Sequence, residues 1–116
     1  MAIPEIVRKA ATKKVEAFCE TRIPAHVRDE IRLEYGVRGN AITIVERRPP
    51  WLAELGPDWT SMKIAQLRYD PDDRMWTLYC CDRNERWFLY LDTEPSLDVS
   101  PLLAEIHADP TGIFWG

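Results

Sequence analysis

Five extended runs separated by turn signals occupy the middle of the chain, and they limit the fold more than any other feature. "IRLEYGV" alternates, with Ile31, Leu33, Tyr35 and Val37 on one face and Arg32 and Glu34 on the other. Gly39-Asn40 supplies a tight turn, and "AITIVERR" returns as a second run rich in β-branched residues. Pro49-Pro50 ends it, since neither proline can donate to a strand ladder. After the long loop "PPWLAELGPDWTS" come "MKIAQLRYD", the turn Asp70-Pro71-Asp72-Asp73, "RMWTLYC", the turn "CDRNE" and "RWFLYL". Five consecutive runs, joined by tight turns except for that one loop, predict an antiparallel five-stranded meander over residues 30–91. The last two runs are apolar on both faces, which predicts burial on both sides and a second cover for the sheet.

Helical patterns flank this block. Residues 1–22 read as a helix that starts near Pro4, with Val7, Ala11, Val15 and Phe18 on one stripe and Lys14 at its edge, where a lysine snorkels. Pro24 breaks it. Residues 100–108, "SPLLAEIHA", read as a second helix with Ser100 as N-cap and Pro101 at its first position. An apolar tail over residues 109–116 closes the chain with Ile113, Phe114 and Trp115. Fully burying the last two aromatics returns roughly 8–11 kcal/mol. Ordering eight residues costs about 12 kcal/mol. The near-balance predicts a tail that packs only into a well-shaped pocket. The expected architecture is α+β, a single domain over residues 1–116: N-terminal helix, five-stranded antiparallel meander, and C-terminal helix with the tail packed on the sheet.

Charge is uneven along the chain. Residues 1–48 carry ten Lys and Arg against seven Asp and Glu, and residues 49–116 carry five against twelve. A basic front half admits an anionic partner, although attraction between the two halves within one fold accounts for the same asymmetry. No apolar run approaches a membrane-spanning length, and the start lacks a signal-peptide layout, so the expectation is a cytoplasmic protein with no membrane partner. Cys19, Cys80 and Cys81 make an odd number without a CxxC, which argues against a disulfide framework or a zinc site. Cys80 and Cys81 are adjacent in a strand and point to opposite faces.

No phosphate-binding glycine loop, nucleophile elbow or zinc-protease motif is present. His26 and His107 have no Cys, Ser or Asp pattern pairing them, and His107 suits a helix C-terminus. Asp70, Asp72 and Asp73 read as turn chemistry, not a calcium loop. Glu46-Arg47-Arg48 weakly suggests a metal-dependent nuclease core, without an upstream aspartate to complete it. The most suggestive pattern interleaves arginine with aromatics. Arg32, Arg47, Arg68 and Arg86 fall on strands that also carry Tyr35, Tyr69, Trp76, Trp87 and Tyr90, and sheets displaying cations and aromatics hold single-stranded nucleic acid. Aromatics at period two equally build cores. "ERRPPW" and "GPDW" also offer Arg48, Trp51 and Trp59 as a rigid proline-tryptophan surface for a protein partner.

The blocks "ERRPPW", "LRYD", "WTLY", "DRNERW" and "ADPTGIFWG" together resemble a small bacterial family, common in high-GC Gram-positive genomes, that is described only as a domain of unknown function. The resemblance runs from about His26 to Gly116. Its relatives carry a "YWRDRNGRWHRY" segment, from which Cys80, Cys81 and Phe88 depart. The resemblance implies a stand-alone domain and no particular activity.

The leading expectation is a non-enzymatic cytosolic interaction module, with an unknown protein partner or self-association into a homodimer. The alternative is binding of RNA or single-stranded DNA through Arg/aromatic sheet positions, and the third is a metal-dependent hydrolase. Candidate binding residues are Arg32, Arg47, Arg48, Trp51, Trp59, Arg68, Arg86, Trp87, Phe114 and Trp115. No catalytic residue, metal ligand or cofactor is assigned.

Overall fold

The computed structural model describes residues 3–50, 54 and 56–115. It is an α+β fold: helix α1 (Glu5–Arg22), strands β1 (Arg32–Arg38), β2 (Ala41–Arg48), β3 (Thr60–Asp70), β4 (Met75–Cys81) and β5 (Trp87–Leu89), and helix α2 (Ser100–Ala108). The strands form one sheet in sequence order, every neighbour antiparallel. A single 3-10 turn, Ala25–Val27, joins α1 to the sheet.

The turns explain the meander. Between β1 and β2, Gly39 has φ 59° while Asn40 does not share the positive φ, the sign pattern of a type II′ hairpin turn with glycine first. Asn40 then ties the hairpin to β3: its carbonyl accepts from the Tyr69 N–H at 2.9 Å and its amide donates to the Tyr69 carbonyl at 3.1 Å. In the acidic turns, carboxylates accept backbone N–H groups that no ladder reaches. Asp70 accepts from Asp72, Asp73 from Met75, and Asp82 from Asn84 and Arg86. These bonds, the one from Arg86 above all, hold the Asp82 carboxyl below its ordinary range.

The register divides the sheet into two faces. On the inner face lie the rows Tyr35–Ile44–Ala65–Cys80 and Val37–Ile42–Leu67–Leu78. The ladder slips between Ile44 and Val45, and Ile64 is the extra residue of the bulge; it is buried together with Ala65. Ala11, Val15 and Cys19 of α1 and Leu102, Leu103 and Ile106 of α2 pack on this face. The C-terminal carbonyls of α1 are satisfied by Arg28, which donates to the Glu20 and Ile23 oxygens. Lys14 pairs with Asp98, whose other oxygen accepts the Ser100 N–H at 2.8 Å. Ser100 is therefore the first residue of α2 and not its cap; Val99 precedes the helix, with Pro101 in its first turn.

The tail folds back. Asp109 ends α2 in the left-handed conformation at φ 43°. Its two carboxylate oxygens accept the backbone N–H groups of Phe114 at 3.0 Å and Trp115 at 2.9 Å. Phe114 is buried against the Tyr90 ring, centroids 5.1 Å apart, and the Trp115 indole donates to the Ile106 carbonyl at 2.7 Å. The Arg22 guanidinium lies over the Trp115 ring at 3.8 Å and bonds His107 at 3.0 Å. Well-aimed hydrogen bonds thus supplement an apolar gain that falls just short of the ordering cost.

Two expectations need correcting. β4 and β5 are not buried on both sides: Met75, Thr77, Tyr79, Cys81 and Trp87 are half-buried and Leu89 exposed, because both helices and the tail lie on the other face, and Phe88, opposite Cys80 on the edge strand, is exposed as well. The fifth strand is only Trp87–Leu89, so Arg86 belongs to the turn, where it pairs with Asp82.

Two measurements check this packing. Asp109→Ala removes the shared acceptor of two amides and should cost about 1–3 kcal/mol, a melting point several degrees lower by calorimetry. Asp109→Asn keeps one acceptor oxygen and should lose less. Burial, and then its hydrogen bond to Glu105, push the Tyr90 phenol up to about 12 from its ordinary 10.0. The neutral phenol is favoured only in the folded chain, so its contribution is complete below the unfolded value and is lost as pH rises toward 12. Urea melts at increasing pH should show wild type losing stability more steeply than Tyr90→Phe through that window.

Candidate functional site

The face of the sheet opposite the helices carries the unexplained chemistry. Its rows follow from the same register: Arg32–Arg47–Ser61, Glu34–Val45–Lys63, Gly36–Thr43–Gln66–Tyr79–Leu89, and Arg38–Ala41–Arg68–Thr77. None of these side chains is part of the buried core, and no helix among the described residues lies over them. Along three neighbouring strands sit Arg32, Arg38, Arg47, Lys63 and Arg68, against two acids among the described residues, Glu34 and, at the end of β3, Asp70. The chain as a whole carries a net charge of -4, so this face concentrates cations against the overall balance.

The arginines are held, not splayed. Arg68 stacks on the Tyr79 ring at 3.8 Å while its Nε donates to Gln66 at 2.6 Å, and the Gln66 amide donates to the Thr43 hydroxyl at 2.9 Å. This relay fixes the guanidinium plane over the phenol ring and leaves its two terminal nitrogens without a partner among the described residues. Arg32 stacks on Trp59 at 4.2 Å, and its Nε donates to the Arg28 carbonyl at 2.9 Å. Arg47 reaches Glu34 at 3.4 Å, and its Nε is buried with no partner among the described residues. The two stacked arginines therefore sit in rows at opposite ends of the face, and those rows are six residues, about 20 Å, apart along β1.

The structure brings Arg32, Arg47 and Arg68 to one face, with Trp87 on its β5 side next to Cys81. It sorts the proposed aromatics differently from the sequence reading. Tyr35, Tyr69, Trp76 and Tyr90 turn inward; the last three are buried. Tyr79, which the sequence reading passed over, stacks with Arg68 on the outer face. Its signal was the alternation of Met75, Thr77 and Tyr79 against Trp76, Leu78 and Cys80. Arg48 points to the inner side, where its guanidinium bonds the nearly buried Glu46 carboxylate at 2.9 Å. Phe114 is buried and Trp115 partly so. Arg86 lies in the β4–β5 turn, and Trp51 lies outside the described residues.

The inner Glu46–Arg48 pair lines a cleft of about 580 Å³ with Arg22, Ile23, Ile31, Met62 and Trp115. Glu46 is the one carboxylate among the described residues that line it. Among the described residues no three His, Cys, Asp or Glu side chains are grouped as a metal site would require, and Asp70 and Asp73 are engaged with backbone amides. Burial raises the thiols of Cys19, Cys80 and Cys81, Cys19 to about 11, opposite to what a reactive thiolate needs.

A family model matches residues 3–116, and the chain belongs to that family, described as a domain of unknown function, DUF3024. The match includes α1, which the resemblance seen in the sequence had left out. No curated protein and no solved structure matches the chain. No helix among the described residues is long and apolar enough to cross a membrane.

Proposed function

We propose that this protein is a non-enzymatic cytosolic binding module whose open sheet face holds single-stranded nucleic acid. One observation carries the reading: five basic side chains against two acids share the face that no described helix covers, and two of the arginines are pre-stacked on aromatic rings. Phosphates require fixed cations, and unpaired bases require flat π-surfaces. A guanidinium stacked on a ring serves both, since it offers its outer plane to a base and its terminal N–H groups to phosphate oxygens. An extended strand can follow the roughly 20 Å from the Arg32–Arg47 end to the Arg38–Arg68 end. Most of the excess acid of the chain lies away from this face, in turns and in the segment after β5: Asp72, Asp73, Asp82, Asp92 and Asp98. Duplex nucleic acid is a poorer fit, for no helix or ribbon among the described residues protrudes from this face to enter a groove.

The test is fluorescence anisotropy with a labelled oligouridylate of about twelve nucleotides over a series of salt concentrations. Affinity should fall steeply with salt, and Arg47→Ala and Arg68→Ala should each lower the salt slope by about one. Tyr79→Ala should weaken binding by about 1–3 kcal/mol with little change in that slope. Arg86→Ala, outside the face, should leave binding unchanged. Absence of binding at low salt, or binding indifferent to these residues, contradicts the reading.

A further inference from the structure

β1 is the longest unpaired edge of the sheet. It runs for seven residues, whereas the other edge, β5, runs for three, and no described strand pairs with its far side. Such an edge is a template for another strand unless it is blunted by proline, a bulge or isolated charge. β1 has no proline, and its register with β2 is continuous.

The two-residue turn decides which backbone groups are free. The pair that closes such a hairpin, Arg38 with Ala41, is hydrogen-bonded, and bonding alternates from there. Arg38, Gly36, Glu34 and Arg32 therefore bond to β2, while Val37, Tyr35 and Leu33 direct their N–H and C=O groups outward. The segment Glu34-Tyr35-Gly36-Val37-Arg38 is complementary to its own reverse. Around Gly36 it reads acid, apolar, glycine, apolar, base.

We infer that β1 is a self-complementary dimer edge, on which a second copy of this chain pairs antiparallel about a two-fold axis through Gly36. In that register Tyr35 and Val37 of each chain exchange N–H···O bonds with the partner's Val37 and Tyr35. Glu34 lies opposite the partner's Arg38, and Arg38 opposite the partner's Glu34. Both are exposed, and Arg38 has no partner among the described residues of its own chain. The aromatic–β-branched contact of Tyr35 with Val37 on the inner face covers Val37, which is 39% exposed, a high value for an aliphatic residue within a strand. At the axis, a glycine whose missing Cβ would meet nothing within 4 Å lets the two backbones approach without obstruction. Charge also selects this register over its neighbour: an axis through Tyr35 would set Arg32 against the partner's Arg38 and leave Glu34 opposite glycine. The contact is small, so association in the micromolar to millimolar range is expected. It joins two sheets into one and makes their outer faces continuous, and it stands whether or not that face binds nucleic acid.

The test is sedimentation velocity on the full chain over that concentration range, with Glu34→Arg and Arg38→Glu prepared separately. Wild type should reach a dimer. Each variant places like charges opposite each other twice per dimer and should raise the dissociation constant about tenfold or more. An equimolar mixture should recover association as a heterodimer, because both cross-pairs are again Arg with Glu. Melting of each variant alone shows that it is folded. A wild type that stays monomeric at millimolar concentration overturns the inference. So does an Arg38→Glu chain that dimerises more tightly, the signature of the Tyr35-centred register, or a mixture that gains nothing over its components.

Discussion

Two helices of this size cover one face of a five-stranded sheet and no more, and the rest of the molecule follows from that limit. The apolar rows of β1 to β4 meet Val15, Leu102 and Ile106 on the covered side, where every one of the largest core residues sits. The opposite rows are left with strand neighbours and solvent. Side chains that must live there are those that tolerate water while still packing along a sheet: arginine stems, threonine, glutamine and tyrosine. Segregation of the cations is thus partly a folding requirement. Their stacking on Tyr79 and Trp59 goes beyond that requirement, because a cation that only needs water has no reason to be held in plane.

The tail shows how a marginal apolar contact becomes an ordered one. Phe114 and Trp115 alone nearly balance the entropy of ordering the segment that carries them. Asp109 shifts that balance by accepting two backbone donors at once, and its left-handed conformation aims the carboxylate back along the tail. Arg22 and His107 then connect the end of α1 to the end of α2 across the Trp115 ring. Closure of the C-terminus therefore locks both helices onto the same face of the sheet.

The strands were legible because period-two patterning and turn residues are local signals. Ile42, Ile44, Leu67 and Leu78 alternate with polar neighbours, and Gly39-Asn40 fixes one register outright. What could not be read was which of two mixed faces turns inward. In "RMWTLYC" both alternations are apolar enough to be core, and only the helices' position decides for Trp76, Leu78 and Cys80. The Arg68–Tyr79 stack needs the β3–β4 register, and Asp109's role needs a chain reversal five and six residues on; neither has a local signature. The strand pattern puts Arg32, Arg47 and Arg68 on sheet positions but carries no signal for which face they occupy. Tyr69 and Trp76 lie on the same strands by pattern, but the core claims both.

The central claim is that the open face is a working surface and the helical face a structural one. Hydroxyl-radical footprinting with and without an oligouridylate tests it directly, since the two faces carry different reporter side chains. The account predicts that Trp59, Tyr79 and Trp87 react in the free protein and are protected together by the oligonucleotide, while Met62 on the inner face is unchanged. Protection confined to Met62 and Trp115 would place any ligand in the inner cleft and contradict the account.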